Sequence, residues 1–128
     1  MKNVLNLKYN TLLEMDPVSL NTLLQNEVDL DFPKTIDTNE EKNKALGMMN
    51  KAAAYVCYFK EMETLARTIK RRAKSNKESQ KEIDRILSCE EIFETYKRNS
   101  ERVYEYISKM MTMKRLMLDE TKLLGNTV

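Results

Sequence analysis

The residues best placed to do chemistry are cations: Arg67, Lys70, Arg71, Arg72, Lys74, Lys77 and Lys81 stand against a single acid, Glu78. Long cations at this density can follow a phosphate backbone and release its condensed counterions. Take Ala66, Ile69 and Ala73 as an inward helix face. A step of about 100° per residue then puts Arg67, Lys70, Arg71, Lys74 and Lys77 in one stripe about 120° wide, with Arg72 elsewhere. No zinc finger, aromatic RNA-binding motif or helix-turn-helix pattern accompanies the stripe, so nucleic acid held here would be held without sequence preference. Two other readings stay open. One is a solvated helix end, favoured by cations near the C-terminal dipole. The other is a contact with an acidic protein surface or with the acidic segment of a neighbouring protomer.

Catalytic chemistry has little to work with. The chain contains no histidine, which removes the commonest general base, the Ser–His and Cys–His nucleophile pairs and the commonest metal ligand. Gly47 and Gly125 are isolated, so no glycine-rich phosphate loop exists. The pairs Glu40–Glu41 and Glu90–Glu91 fall where helices should start, and there an acidic first turn complements the dipole. Cys57 and Cys89 form no CxxC and read as buried free thiols in a reducing compartment. The expectation is a non-enzymatic protein with no cofactor, no metal and no small-molecule substrate.

The elements that must position the cations are long helices. Charged residues make up 33% of the chain and apolar residues 41%, with two Gly and two Pro, a composition that leaves few places to turn. One apolar ladder runs Ala45, Met48, Ala52, Tyr55, Phe59, Met62, Ala66, Ile69, Ala73. A second runs Cys89, Ile92, Tyr96, Asn99, Val103, Tyr106, Met110, Met113, Met117, Glu120, Leu124. Both alternate steps of three and four, the mark of a coiled-coil seam. Thr38 with Glu41 is a capping box that opens the first helix, which runs from Asn39 to about Lys74 through Gly47. Ser75-Asn76 is the expected turn. Ser79 with Glu82 and Ser88 with Glu91 offer two further capping boxes, so a restart at Ser88 is expected before a last helix that ends at Gly125-Asn126.

The fold class is therefore all-α: a long antiparallel, coiled-coil-like helical hairpin over residues 37–128, with a basic elbow near 67–81. A small acidic, helical adapter precedes it over residues 1–36. In the adapter, Val4, Leu5 and Leu7 open a short strand or helix, and Asp16-Pro17 reads as an N-cap with proline in the first turn. Val18, Leu20, Leu23, Leu24 and Val28 should face inward. Phe32-Pro33 ends the helical stretch, leaving residues 28–32 as an extended tether along the hairpin.

Met110, Met111, Met113 and Met117 form a cluster matched by Met48, Met49 and Met62 on the other helix. They read as core or as an adaptable interface, and an antiparallel hairpin should bring Met113 towards Met48 and Met49. Second apolar stripes (Leu46, Met49, Val56 and Leu65; Phe93, Tyr104, Ile107, Met111 and Leu118) exceed what one hairpin can cover and point to a homo-oligomer. Asn99 interrupts the second ladder, either as a buried register-setting polar residue or facing water. Tyr55, Tyr58, Tyr96, Tyr104 and Tyr106 read as core with rim hydroxyls. No stretch approaches the roughly 20 apolar residues of a membrane span. No basic start with an apolar stretch and cleavage site is present either, so a cytoplasmic protein is expected.

The run Ile86-Leu87-Ser88-Cys89-Glu90-Glu91, followed by a helix with Tyr104-Glu105-Tyr106-Ile107, resembles the C-terminal half of the UvsY-type recombination mediator proteins of large phages. Ile36-Asp37-Thr38, then Ala53 and Tyr55, then the basic run at Lys70, is similar in order to the first half. The similarity spans about residues 35–118. Two departures stand out: Arg115-Leu116-Met117 replaces the family's arginine-glycine-aromatic turn, and the adapter is additional. The resemblance implies an all-helical, closed oligomer in the host cytoplasm that binds single-stranded DNA in recombination or replication. By position, Arg67, Lys70, Arg71 and Lys74 would be its contacts. The rival function is a protein-interaction module, an inhibitor or adaptor such as a phage anti-defence protein, presenting the Met-rich face to one protein partner.

Overall fold

A computed structural model describes residues 9–126; the expectation for Val4, Leu5 and Leu7 lies outside them. Four helices follow in order: α1 (Tyr9–Leu13), α2 (Pro17–Glu27), α3 (Asn39–Ser75) and α4 (Gln80–Asn126). The described residues contain no strand. α3 and α4 pack along each other as the antiparallel hairpin.

Local chemistry starts each long element. The Asp16 carboxylate accepts from the Ser19 N–H at 3.3 Å, with Pro17 next, and α2 begins there. Thr38 and Glu41 complete a reciprocal capping box: the Glu41 N–H donates to Thr38 Oγ1 at 3.1 Å and the Thr38 N–H donates to Glu41 Oε1 at 3.2 Å. Ser79 caps α4 by accepting from the Glu82 N–H at 3.3 Å. A side chain at Gly47 would meet open space, so no close approach calls for glycine there, and α3 continues through it.

α3 ends in a Schellman motif. The Glu78 N–H donates to Ala73 O at 2.9 Å and the Lys77 N–H to Lys74 O at 3.2 Å. The motif needs a left-handed residue, and Lys77 takes it with φ 54°.

α3 keeps its ladder: Ala45, Ala52, Tyr55, Phe59, Met62, Ala66 and Ala73 are buried. α4 does not restart at Ser88; it is one helix of 47 residues. Ile86, Cys89 and Phe93, on both sides of that serine, enter the same core, and an unbroken helical phase is what lets them do so. The α4 seam is also rotated from the expected ladder. It runs Ile86, Cys89, Phe93, Ser100, Val103 and Ile107, all buried. Ile92 and Tyr96 sit half-buried on the adapter side. Asn99 is exposed, and Ser100 holds the buried polar position, its Oγ donating to Tyr96 O at 2.8 Å.

The core has an aromatic centre, with Phe59 stacked on Tyr55 at 5.6 Å and near Phe93 at 6.4 Å between centroids. Leu12, Leu13, Leu20 and Leu24 of the adapter join it, whereas Val18 is exposed. A second core, Ile36, Ala45, Ala52, Val103 and Ile107, fills the far end. The tether has no regular secondary structure, and its first residue, Val28, is extended. Its Phe32 ring meets Tyr106 edge-on at 5.1 Å, and its Asp29 pairs with Lys51 at 3.0 Å.

Candidate nucleic-acid interface

The two apolar cores fix where the elbow cations stand. Met62 and Ala66 are buried in the seam, so Glu63, Arg67 and Lys70 flank it, the positions from which coiled-coil charges reach across. Arg67 Nε donates to Glu90 Oε1 at 2.8 Å, and its Nη2 pairs with Glu63. Lys70 Nζ reaches Glu90 Oε2 at 2.7 Å, and Lys97 Nζ reaches Glu63 Oε2 at 2.7 Å. The result is an alternating chain Lys97–Glu63–Arg67–Glu90–Lys70 across the hairpin, whose carboxylate side chains are only 5% and 12% exposed.

Energetics follow from that burial. Desolvation pushes the Glu90 carboxyl up, but hydrogen bonds from Lys70 and Arg67 outweigh it and hold the group below the usual carboxylate range. The Glu90 hydrogen bond, with the Glu63 charge, raises Arg67 above its ordinary value. Arg67 and Lys70 are thus committed to internal carboxylates, a correction to the five-cation stripe.

Lys77 corrects it a second time. α3 ends at Ser75, so Lys77 lies in the turn and not on the helix face that extrapolation at 100° assigned it. Arg71, Arg72, Lys74, Lys77 and Lys81 remain exposed, and their side chains have no ion-pair partner among the described residues. They ring the tip of the hairpin, where α3 ends and α4 begins. On the flank near Arg67 every cation of the alternating chain has a carboxylate partner; the tip is open and positive.

Arg85, which sequence reasoning missed, anchors the adapter just behind the tip. Its Nη1 donates to Leu13 O and Met15 O, each at 2.9 Å, while Glu82 grips the rest of the guanidinium. The same contact raises Arg85 and lowers Glu82, in each case first through their hydrogen bond. Cys89 Sγ donates to Met15 O at 3.7 Å, and burial pushes its thiol up. Cys57, expected to be buried, is exposed. Glu63 with Arg67 at four residues' spacing was a visible signal for the ion-pair chain; its partners Glu90 and Lys97 needed the hairpin register.

The methionines divide by face. Met110 and Met111 pack with Met48 and Met49 against the far-end core. Met113 and Met117 do not: they are 63% and 62% exposed. The expected approach of Met113 to Met48 and Met49 fails because the seam is one position out of phase, and Lys114 turns inward instead to meet Asp37 at 2.5 Å. Tyr55 and Tyr58 are core, Tyr96 is half-buried with its hydroxyl near Asn21 Oδ1 at 3.4 Å, and Tyr104 and Tyr106 are exposed.

Among the described residues no group of three His, Cys, Asp or Glu side chains gathers to hold a metal ion, and no helix is long and apolar enough to cross a membrane. No known protein family, curated protein or solved structure matches the chain.

Proposed function

We propose that the hairpin tip binds nucleic acid without sequence preference, with single-stranded DNA in a recombination or replication accessory role as the specific form that the UvsY-type resemblance suggests. One observation carries the reading: Arg71, Arg72, Lys74, Lys77 and Lys81 crowd one end of a rod with their charges uncompensated by any ion pair among the described residues. A curved cluster of long cations suits a flexible backbone, and exposed Tyr104 and Tyr106 are too far along α4 to stack on bases held at the tip.

The test is fluorescence anisotropy with a labelled single-stranded oligonucleotide at about 50 mM salt. The wild type should bind. The logarithm of its affinity should fall with the logarithm of salt at a slope of about −2 to −4, as expected for three to five neutralised phosphates on a single strand. Arg71→Glu, Lys74→Glu and Lys77→Glu together should abolish binding with helicity unchanged, because none of the three holds an internal carboxylate. Absence of wild-type binding sinks the reading.

A second reading, a protein-interaction module, is favoured by exposed Met113 and Met117 beside exposed Leu116 at the far end of α4. There the triple charge reversal would leave activity intact and Met113→Lys would remove it.

A further inference from the structure

The last third of α4 carries two different faces. Met111 and Leu118 line a groove with Ile36 and Leu46 on the hairpin side. Opposite these, about 180° away at about 100° per residue, runs another stripe: Tyr106, Lys109, Met113, Leu116, Glu120 and Leu123. All six are exposed, Met113 and Leu116 at 63% and 61%. Met117 stands at its edge, 62% exposed. The steps are three, four, three, four, three, so the stripe is a heptad seam. α3 cannot cover it, since α3 lies behind the helix, and the tether meets it at Tyr106, through Phe32.

The polar members of this seam identify its occupant. Lys109 and Glu120 carry opposite charge, stand equally far from the midpoint between Met113 and Leu116, and have no ion-pair partner among the described residues. They are about 16 Å apart along one helix and cannot pair within it. We propose that the stripe binds the same stripe of a second copy of the chain, running antiparallel, so that Lys109 of one copy meets the partner subunit's Glu120.

In that register every layer matches. Met113 faces the partner subunit's Leu116, and Tyr106 faces the partner subunit's Leu123. Lys109 and Glu120 satisfy each other twice, once at each end of the central apolar layers. A parallel pair would instead oppose Lys109 to Lys109 and Glu120 to Glu120, like charges at both ends of the central apolar layers, which is disfavoured. An isolated pair of such short helices would be marginal in water. Here α4 is already held by α3 as far as Met111 and by Asp37, just before α3, at Lys114, so little ordering remains to oppose association.

Sedimentation equilibrium of the full chain over a concentration series up to about 100 µM tests the proposal. The wild type should dimerise. Lys109→Glu and Glu120→Lys should each weaken the dimer about tenfold or more, and the double variant should return to within about threefold of wild type. Met113→Lys should give a monomer whose circular dichroism keeps its helicity. A wild type that stays monomeric, a double variant no tighter than either single, or a dimer that survives Met113→Lys overturns the proposal. Should a different protein be captured by a monomeric wild type and lost with Met113→Lys, the stripe belongs to that partner and the second-copy assignment falls. Oligonucleotide binding at the tip is independent of all these variants, so its failure would not be mistaken for this one.

Discussion

Glu90 shows how one residue changes the meaning of its neighbours. As a sequence feature it looked like an acidic first turn; in the fold it pairs with Arg67 and Lys70 and takes both out of the set of unpaired cations. Its carboxyl is depressed in the folded state, so the stabilisation is fully present above the ordinary value of 4.5 and is lost as pH falls through the lower folded value. Glu90→Gln should therefore cost about 1–2 kcal/mol near pH 7, since Arg67 and Lys70 lose a shared charged partner but stay partly hydrated. The gap between wild type and variant should close as pH drops progressively below 4.5. Urea titrations at stepped pH measure this; a gap independent of pH would remove the ion pair as its cause.

At the scale of elements, the elbow joins two long helices through a backbone position built for glycine but filled by lysine. Lys77 at φ 54° carries the steric cost of a side chain in the left-handed region, about 1 kcal/mol. Lys77→Gly should raise the thermal midpoint by a few degrees while weakening oligonucleotide binding. Opposite signs in the two assays are the expected outcome; a loss of stability would mean that the Lys77 side chain holds the turn. A lysine kept where glycine is easier is what a charged tip requires.

The elements also show what was legible locally. The caps at Asp16, Thr38–Glu41 and Ser79 were readable because each is closed by residues within three positions of each other. The α3 ladder was readable because that helix has one dominant apolar face. The phase of α4 was not, because its apolar surface is divided between α3, the adapter and the outer stripe. A period of three and four fits more than one of these. The Ser88 capping box failed for a related reason: a local start signal lost to Ile86, Cys89 and Phe93, all buried in one core.

The whole molecule is a rod with unlike ends. α4, at 47 residues, is about 70 Å long; beside its start stand the open cations of α3 and the turn, and its far end carries the exposed Met113, Leu116 and Met117. In the inferred dimer the far ends overlap and the two basic tips point away from each other, about 110 Å apart from the lengths of the paired helices. Such a dimer could hold two points on one strand, or two strands. The adapter braces the rod near the tip through Arg85. Arg85→Ala should take the guanidinium donor from the Leu13 and Met15 carbonyls, leaving Met15 O the weak Cys89 thiol contact, at a cost of about 1–3 kcal/mol. Amides of α2 should then lose exchange protection before those of the α3–α4 seam; uniform loss across the hairpin would show that the adapter is not a separable brace.

By itself the sequence determined the all-helical class, the span of α3, the caps at Asp16, Thr38 and Ser79, the antiparallel hairpin and the basic character of its turn. Those depend on interactions a few residues apart and on one unambiguous apolar face. Only the tertiary structure decided which cations stay open, which methionines are core, and that Ser100 rather than Asn99 occupies the seam. Each of these depends on the rotation of α4 against two neighbours at once. Steric fit among Phe59, Phe93 and the adapter leucines sets that rotation, and no periodicity within one helix contains it.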